Sequence, residues 1–197
     1  MLVMEDFWLY FKLGFEHVLD WKAYDHVLFL TALVASYTFQ QSRKVVWLVT
    51  LFTIGHVLSL ALSAYNVVRL ESELIEFLIP VSIIFTGIYN VLTARNTTHT
   101  SRINFLYAIT FCFGLVHGFG FSTYFNLLAK SIDNPMFMLI EFALGIELAQ
   151  ILVVFIVLLL GFLVQNVFNF SKRDWILVMS SMIIGMTIPI LIENWWF

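Results

Sequence analysis

Long apolar segments alternate with short polar ones along almost the whole chain. Most of these segments approach the 20 or so residues that a helix needs to cross a bilayer. They lie at about residues 23–39, 45–65, 74–94, 103–129, 136–164 and 175–192. Because the apolar runs are continuous, they do not fit the alternating pattern of a membrane β-barrel. The pattern therefore predicts an all-α polytopic membrane protein with six transmembrane helices.

The first 22 residues are too short and too polar to be another span. Phe7, Trp8, Tyr10 and Phe11 stand beside Lys12, a composition typical of a helix lying at the membrane surface. We therefore expect residues 1–22 to form a short interfacial helix before the first span. The whole chain, residues 1–197, is then a single transmembrane domain.

Composition supports this class and excludes others. Only 12% of the residues are charged, and the mean hydropathy is +0.92, which is not a soluble composition. The net charge of −3 gives no sign of nucleic-acid binding. We therefore expect the lipid bilayer as a partner.

Basic residues predict the orientation in the membrane. Lys and Arg pairs fall in alternate loops, and cytoplasmic loops are the ones enriched in these residues. Both termini are therefore expected on the outer side. The loops concerned contain Arg43 and Lys44, Arg95 and Arg102, and Lys172 and Arg173.

Ionisable residues recur inside the predicted spans, where they are costly and usually functional. His56, His117 and Glu147 lie near the middle of the second, fourth and fifth spans. Asp25 and His26 open the first span at a shallower depth. Three ionisable groups at matching depth on three helices predict a shared intramembrane site.

Imidazole and carboxylate side chains together suit a divalent transition-metal ion. An aspartate beside a ligating histidine can orient the imidazole or bind the ion directly. We predict outer capture by the first histidine of the chain and the Asp-His pair, and a second set of ligands near the midplane. The predicted metal ligands are His17, Asp25, His26, His56, His117 and Glu147.

Four motifs together resemble the HupE/UreJ family. They are a histidine followed by Asp-His-x-Leu-Phe-Leu, then Phe-Thr-x-x-His, Gly-Leu-x-His-Gly-x-Gly-Phe and Gly-x-Glu-x-x-Gln. That family comprises bacterial membrane proteins associated with hydrogenase and urease maturation and regarded as nickel or cobalt permeases. The resemblance implies a metal permease of the bacterial inner (cytoplasmic) membrane, whose access motif contains His17, Asp25 and His26. The resemblance implies nickel or cobalt as the ion, and the histidine ligands by themselves would also suit zinc.

The chain departs from the family pattern at its first motif. Seven residues, Val18 to Tyr24, separate His17 from Asp25, where the family typically has five. On one continuous helix, the two histidines would face opposite ways. A break near Trp21–Ala23 is therefore predicted if both bind one ion.

The same residues are compatible with two other functions. A zinc ion held by histidines could activate water in an intramembrane hydrolase, with Glu147 or Asp25 as general base. An assembly subunit could use them for a structural metal. A carrier needs water access that alternates between the two faces, whereas a hydrolase needs a fixed metal and a groove for its substrate.

Overall fold

The computed structural model describes residues 2–95, 103–130 and 135–195. Within these ranges, the protein contains seven α-helices, one 3₁₀ turn at Phe39–Gln41 and no β-strand. The helices are α1 (Leu2–Val18), α2 (Asp25–Val34), α3 (Ser42–Ala64), α4 (Ser72–Thr93), α5 (Ile103–Ala129), α6 (Pro135–Asn166) and α7 (Lys172–Glu193).

Five helices, α3 to α7, are long and apolar enough to cross a membrane. Their bounds lie within about three residues of the last five predicted spans. The protein is therefore an all-helical integral membrane protein.

The count of six spans is not confirmed, because the predicted first span contains only the helix α2. With ten residues, α2 is about 15 Å long, which is about half of the hydrocarbon thickness. Eight of the ten residues are buried. The segment is apolar because it lies inside the bundle, and this burial made it resemble a lipid-facing span.

The predicted interfacial helix is not confirmed either, because α1 lies along α6. The two helices run antiparallel with their backbones in contact. A Cβ atom at Gly14 would collide with the carbonyl oxygen of Phe142, and one at Gly145 would collide with that of Phe11. Small residues allow such close approach in membranes. Trp8 and Lys12 remain exposed on α1, and they are among the residues that made this segment resemble a surface helix.

Helices α3 and α5 pack in the same way. A Cβ atom at Gly55 would collide with the carbonyl oxygen of Phe111, and one at Gly114 with that of Phe52. Glycines on both partners therefore bring the backbones together. We call these two units the α1·α6 pair and the α3·α5 pair.

The short helix α2 packs against α4, α6 and α7. Asn90 on α4 donates a hydrogen bond to the carbonyl oxygen of Ala32 (2.6 Å). The core beside α2 contains the fully buried rings of Phe29, Phe52 and Phe142. These contacts fix α2 in the bundle although it is too short to span the membrane.

We expect Gly145→Ala to destabilise the protein by about 1–3 kcal/mol, the usual cost of overpacking. The added methyl group would meet the backbone of α1, which cannot move aside as a side chain can. Thermal unfolding in detergent measures the effect. Gly185→Ala is the matched control, because nothing lies within 4 Å of a Cβ at Gly185. Equal stability of the two variants would contradict the close packing of α1 on α6.

Candidate metal centre

The first two helices form a hairpin that brings two histidines together. Helix α1 ends at Val18 and α2 begins at Asp25, so the intervening residues 19–24 are not helical. The predicted break near Trp21–Ala23 is therefore confirmed. It turns the chain back, and the rings of His17 and His26 lie 4.6 Å apart between centroids.

Three imidazoles from three helices converge on one point. Ring nitrogens of His17, His26 and His56 all lie within 4.8 Å of one another. His117 on α5 completes the group, with its ring centroid 5.1 Å from that of His26. We call these four residues the imidazole cluster.

The imidazole cluster is buried, and several of its nitrogens have no hydrogen-bond partner. His56, His117 and His26 are 0%, 1% and 3% exposed, whereas His17 is half-buried. The Nε2 atoms of all four rings, and also Nδ1 of His56, are buried without a partner. Because buried polar groups are normally satisfied, this set of free nitrogens points to a ligand that accepts their lone pairs.

Hydrogen bonds at Nδ1 orient two of the rings. Nδ1 of His26 lies 3.2 Å from Oδ1 of Asp25. Nδ1 of His117 lies 2.9 Å from the carbonyl oxygen of Phe113. Since both partners accept, both Nδ1 atoms carry the proton, and both Nε2 atoms have a free lone pair. Carboxylates and carbonyls orient metal-binding histidines in this way.

Phenylalanine rings enclose the imidazole cluster. Phe29 and Phe52 lie against His117, with centroid distances of 5.3 and 5.1 Å. Phe121 lies 4.0 Å from the ring of His17, and Phe142 stacks on Phe121. These apolar walls offer the imidazoles no hydrogen-bonding groups, which leaves the Nε2 atoms available to an ion.

Glu147 is not brought to the imidazole cluster. Its Oε1 accepts a hydrogen bond from Thr50 (2.7 Å), and its Oε2 accepts one from Thr53. Oε1 of Gln150 lies 3.2 Å from the same Thr53 hydroxyl. Of the six predicted ligands, the structure therefore gathers His17, Asp25, His26, His56 and His117, and places Glu147 in a separate polar contact between α3 and α6.

A cavity of about 640 Å³ reaches the imidazole cluster from the α1–α2 hairpin. Its lining includes His17, the aromatic side chains Trp21 and Phe121, and the acidic residues Glu16 and Asp20. Carboxylates at the mouth of a cleft raise the local concentration of cations. The cavity therefore offers a cation a route to His17.

One family model, described as HupE / UreJ protein, matches residues 2–196. The chain belongs to this family. No curated protein and no solved structure matches the chain. The match confirms the family resemblance predicted from the four motifs, and it extends over essentially the whole chain of the HupE/UreJ protein.

Sequence reasoning missed three features of the HupE/UreJ protein's site. The first is the hydrogen bond from Thr50 to Glu147. Thr50 lies one turn before Thr53 on α3, so helical spacing could have shown that the two threonines share a face. The carbonyl of Phe113, which orients His117, is a backbone group and has no sequence signal. The third is the set of phenylalanine rings around the imidazole cluster. The chain has 21 phenylalanines, and no sequence pattern distinguishes the few that enclose the site from the others.

We expect Asp25→Asn to weaken Co²⁺ binding by about 10–100-fold, the usual effect of losing a carboxylate that orients a ligating histidine. The neutral amide no longer stabilises the correct tautomer of His26. Titration of the purified protein with Co²⁺, followed by visible absorption, gives the affinity. Asp174→Asn is the control, because Asp174 is exposed in the first turn of α7 and does not line the cavity beside His17. Equal losses in both variants would contradict an orienting role for Asp25.

Proposed function

We propose that this protein of the HupE/UreJ family binds a divalent transition-metal ion in the imidazole cluster and carries it across the membrane. The observation that supports this most is the set of buried Nε2 atoms without partners on four converging histidines. Nickel or cobalt is the proposed cargo, because the family is associated with these metals.

The donor atoms favour a transition metal over the common hard cations. Neutral imidazole nitrogen suits nickel, cobalt, zinc and copper, whereas magnesium and calcium prefer oxygen. The carboxylate of Asp25 hydrogen-bonds to the ring of His26. The centre is therefore suited to an ion that accepts nitrogen ligands in a dry environment.

The route to the imidazole cluster supports transport. The cavity beside His17 is lined by the acidic Glu16 and Asp20 and opens along the α1–α2 hairpin. With the orientation predicted from the basic loops, this side faces outward from the bacterial cytoplasmic membrane. An ion would then enter from outside and be stripped of water at the buried histidines.

A metal-dependent hydrolase fits the arrangement less well. Such a site needs a carboxylate near the metal to act as general base. Asp25 is hydrogen-bonded to His26, and Glu147 is hydrogen-bonded to Thr50 and Thr53. Neither carboxylate is placed as a free base beside the imidazole cluster, so we favour the carrier.

We expect His117→Ala to abolish Co²⁺ binding and uptake while the protein still inserts and folds. The change removes the imidazole of His117, which is a proposed ligand. Because this position is buried, a water molecule cannot take the place of the lost nitrogen. Binding is measured by titration in detergent, and uptake with protein reconstituted in liposomes.

His99→Ala is the matched control for this variant. Of the five histidines in the chain, His99 is the one not assigned to the imidazole cluster. The sequence predicts that it lies in a polar loop, and it falls outside the described residues. We expect this control to retain uptake within about twofold. Full Co²⁺ binding and uptake by the His117→Ala variant would disprove the proposed centre.

A further inference from the structure

We propose that the two glycine-packed helix pairs move against each other during transport, and that Glu147, with Thr50 and Thr53, forms a gate beyond the imidazole cluster. The inference rests on the proposed function, since it concerns how the ion leaves the centre. We call the interface between the α1·α6 pair and the α3·α5 pair the seam, and the contact of Glu147 with the two threonines the carboxylate gate.

Each pair is built to move as a unit. Within the α3·α5 pair, a Cβ at Gly118 would collide with the carbonyl oxygen of His56. The helices that carry His56 and His117 are thus held in backbone contact. Within the α1·α6 pair, Gly14 and Gly145 have the same role. Because closely packed helices cannot slide without separating, motion is easier at the seam than within either pair.

The imidazole cluster spans the seam. His17 belongs to the α1·α6 pair, His56 and His117 belong to the α3·α5 pair, and His26 is on α2. A relative displacement of the two pairs would therefore change the separation of the ligands. Carriers commonly release their substrate when one helix bundle rocks against another around a central site.

On the cavity side of the imidazole cluster, the seam is closed by rings. Phe121 on α5 stacks on Phe142 on α6, with centroids 5.3 Å apart and planes 7° from parallel. The ring of Phe121 also lies against that of His17. These contacts have no hydrogen bonds to break, so they can separate without leaving polar groups unsatisfied.

On the opposite side, the seam is closed by the carboxylate gate. Glu147 follows Phe142 by five residues on α6, which places it about 7.5 Å further along the helix. Its two oxygens accept from Thr50 and Thr53 on α3. Within the described part of the chain, no Lys, Arg or His nitrogen forms an ion pair with this carboxylate.

A carboxylate inside a membrane without a cationic partner is costly and therefore indicates a function. When the pairs separate, the threonines leave Glu147, and its oxygens face the opened seam. A cation released from the imidazoles would meet this carboxylate first. The buried Nε2 of Gln150, one turn further on α6, also lacks a partner, so the polar side of α6 continues beyond the gate.

Cross-linking across the seam tests the proposed motion. In a Cys112→Ser background, Phe39→Cys with Phe155→Cys joins the turn that leads into α3 to helix α6, where the native rings lie 6.0 Å apart between centroids. The control, Ser63→Cys with Asn126→Cys, joins α3 to α5 within one pair, where the native side chains are 2.8 Å apart. A short, reducible bifunctional thiol reagent links each pair of cysteines in reconstituted liposomes.

We expect the seam cross-link to lower Co²⁺ uptake at least tenfold, with recovery after reduction, while Co²⁺ binding stays intact. The control cross-link should change uptake by less than twofold. Unchanged uptake with the seam cross-linked, or loss of uptake with the control cross-linked, would overturn the proposed motion. If the uncross-linked seam variant is inactive, Phe39→Cys with Phe162→Cys provides a second cross-link between the same two helical segments, for which we expect the same reversible loss.

Glu147→Gln tests the gate separately, with Glu76→Gln at an exposed position as its control. We expect Glu147→Gln to lower Co²⁺ uptake at least tenfold and to change Co²⁺ affinity by less than threefold. A parallel loss of affinity would make Glu147 a ligand of the metal centre and overturn the gate. Wild-type protein that neither binds nor carries Co²⁺ would instead refute the proposed function itself.

Discussion

Backbone contact between helices determines where the imidazoles lie. Gly55 directly precedes His56, Gly118 directly follows His117, and Gly14 lies three residues before His17. Each of these glycines touches the backbone of another helix. Any side chain there would push the helices apart, and the nearby imidazole would move with its helix. Because metal ligation requires ligand positions within a few tenths of an ångström, the geometry of the centre depends on these glycines.

The second constraint is the low polarity of the surroundings. Leaving a buried polar atom without a partner costs about 1–3 kcal/mol, and the imidazole cluster contains five such nitrogens. Phenylalanine rings rather than polar side chains enclose them, so the fold itself does not satisfy these atoms. An arrangement of this kind is stable only because helix packing elsewhere is extensive. It leaves the Nε2 atoms of all four rings without a hydrogen-bond partner among the described residues.

Much of the centre could be predicted from sequence, because histidines are costly in a membrane and stand out in apolar runs. Their approximate depth followed from counting residues along helices, and the break before Asp25 followed from the spacing of His17 and His26. The depth of Glu147 did not reveal its partner, since depth says nothing about which face of α6 points to α3. The sequence also did not predict the lengths of α1 and α2, because an apolar segment buried in protein and one exposed to lipid have the same composition.

The hairpin of α1 and α2 has a thermodynamic consequence. His17 lies in the last turn of α1 and His26 in the first turn of α2, so an ion bound by both would join the two helices across the short exposed turn between them. The ion would then act as a removable cross-link, which is bound when the hairpin is folded and released when the hairpin opens. By mass action, each tenfold increase in free ion above its dissociation constant would favour the closed hairpin by about 1.4 kcal/mol. The stability of the folded hairpin would therefore depend on the concentration of free ion.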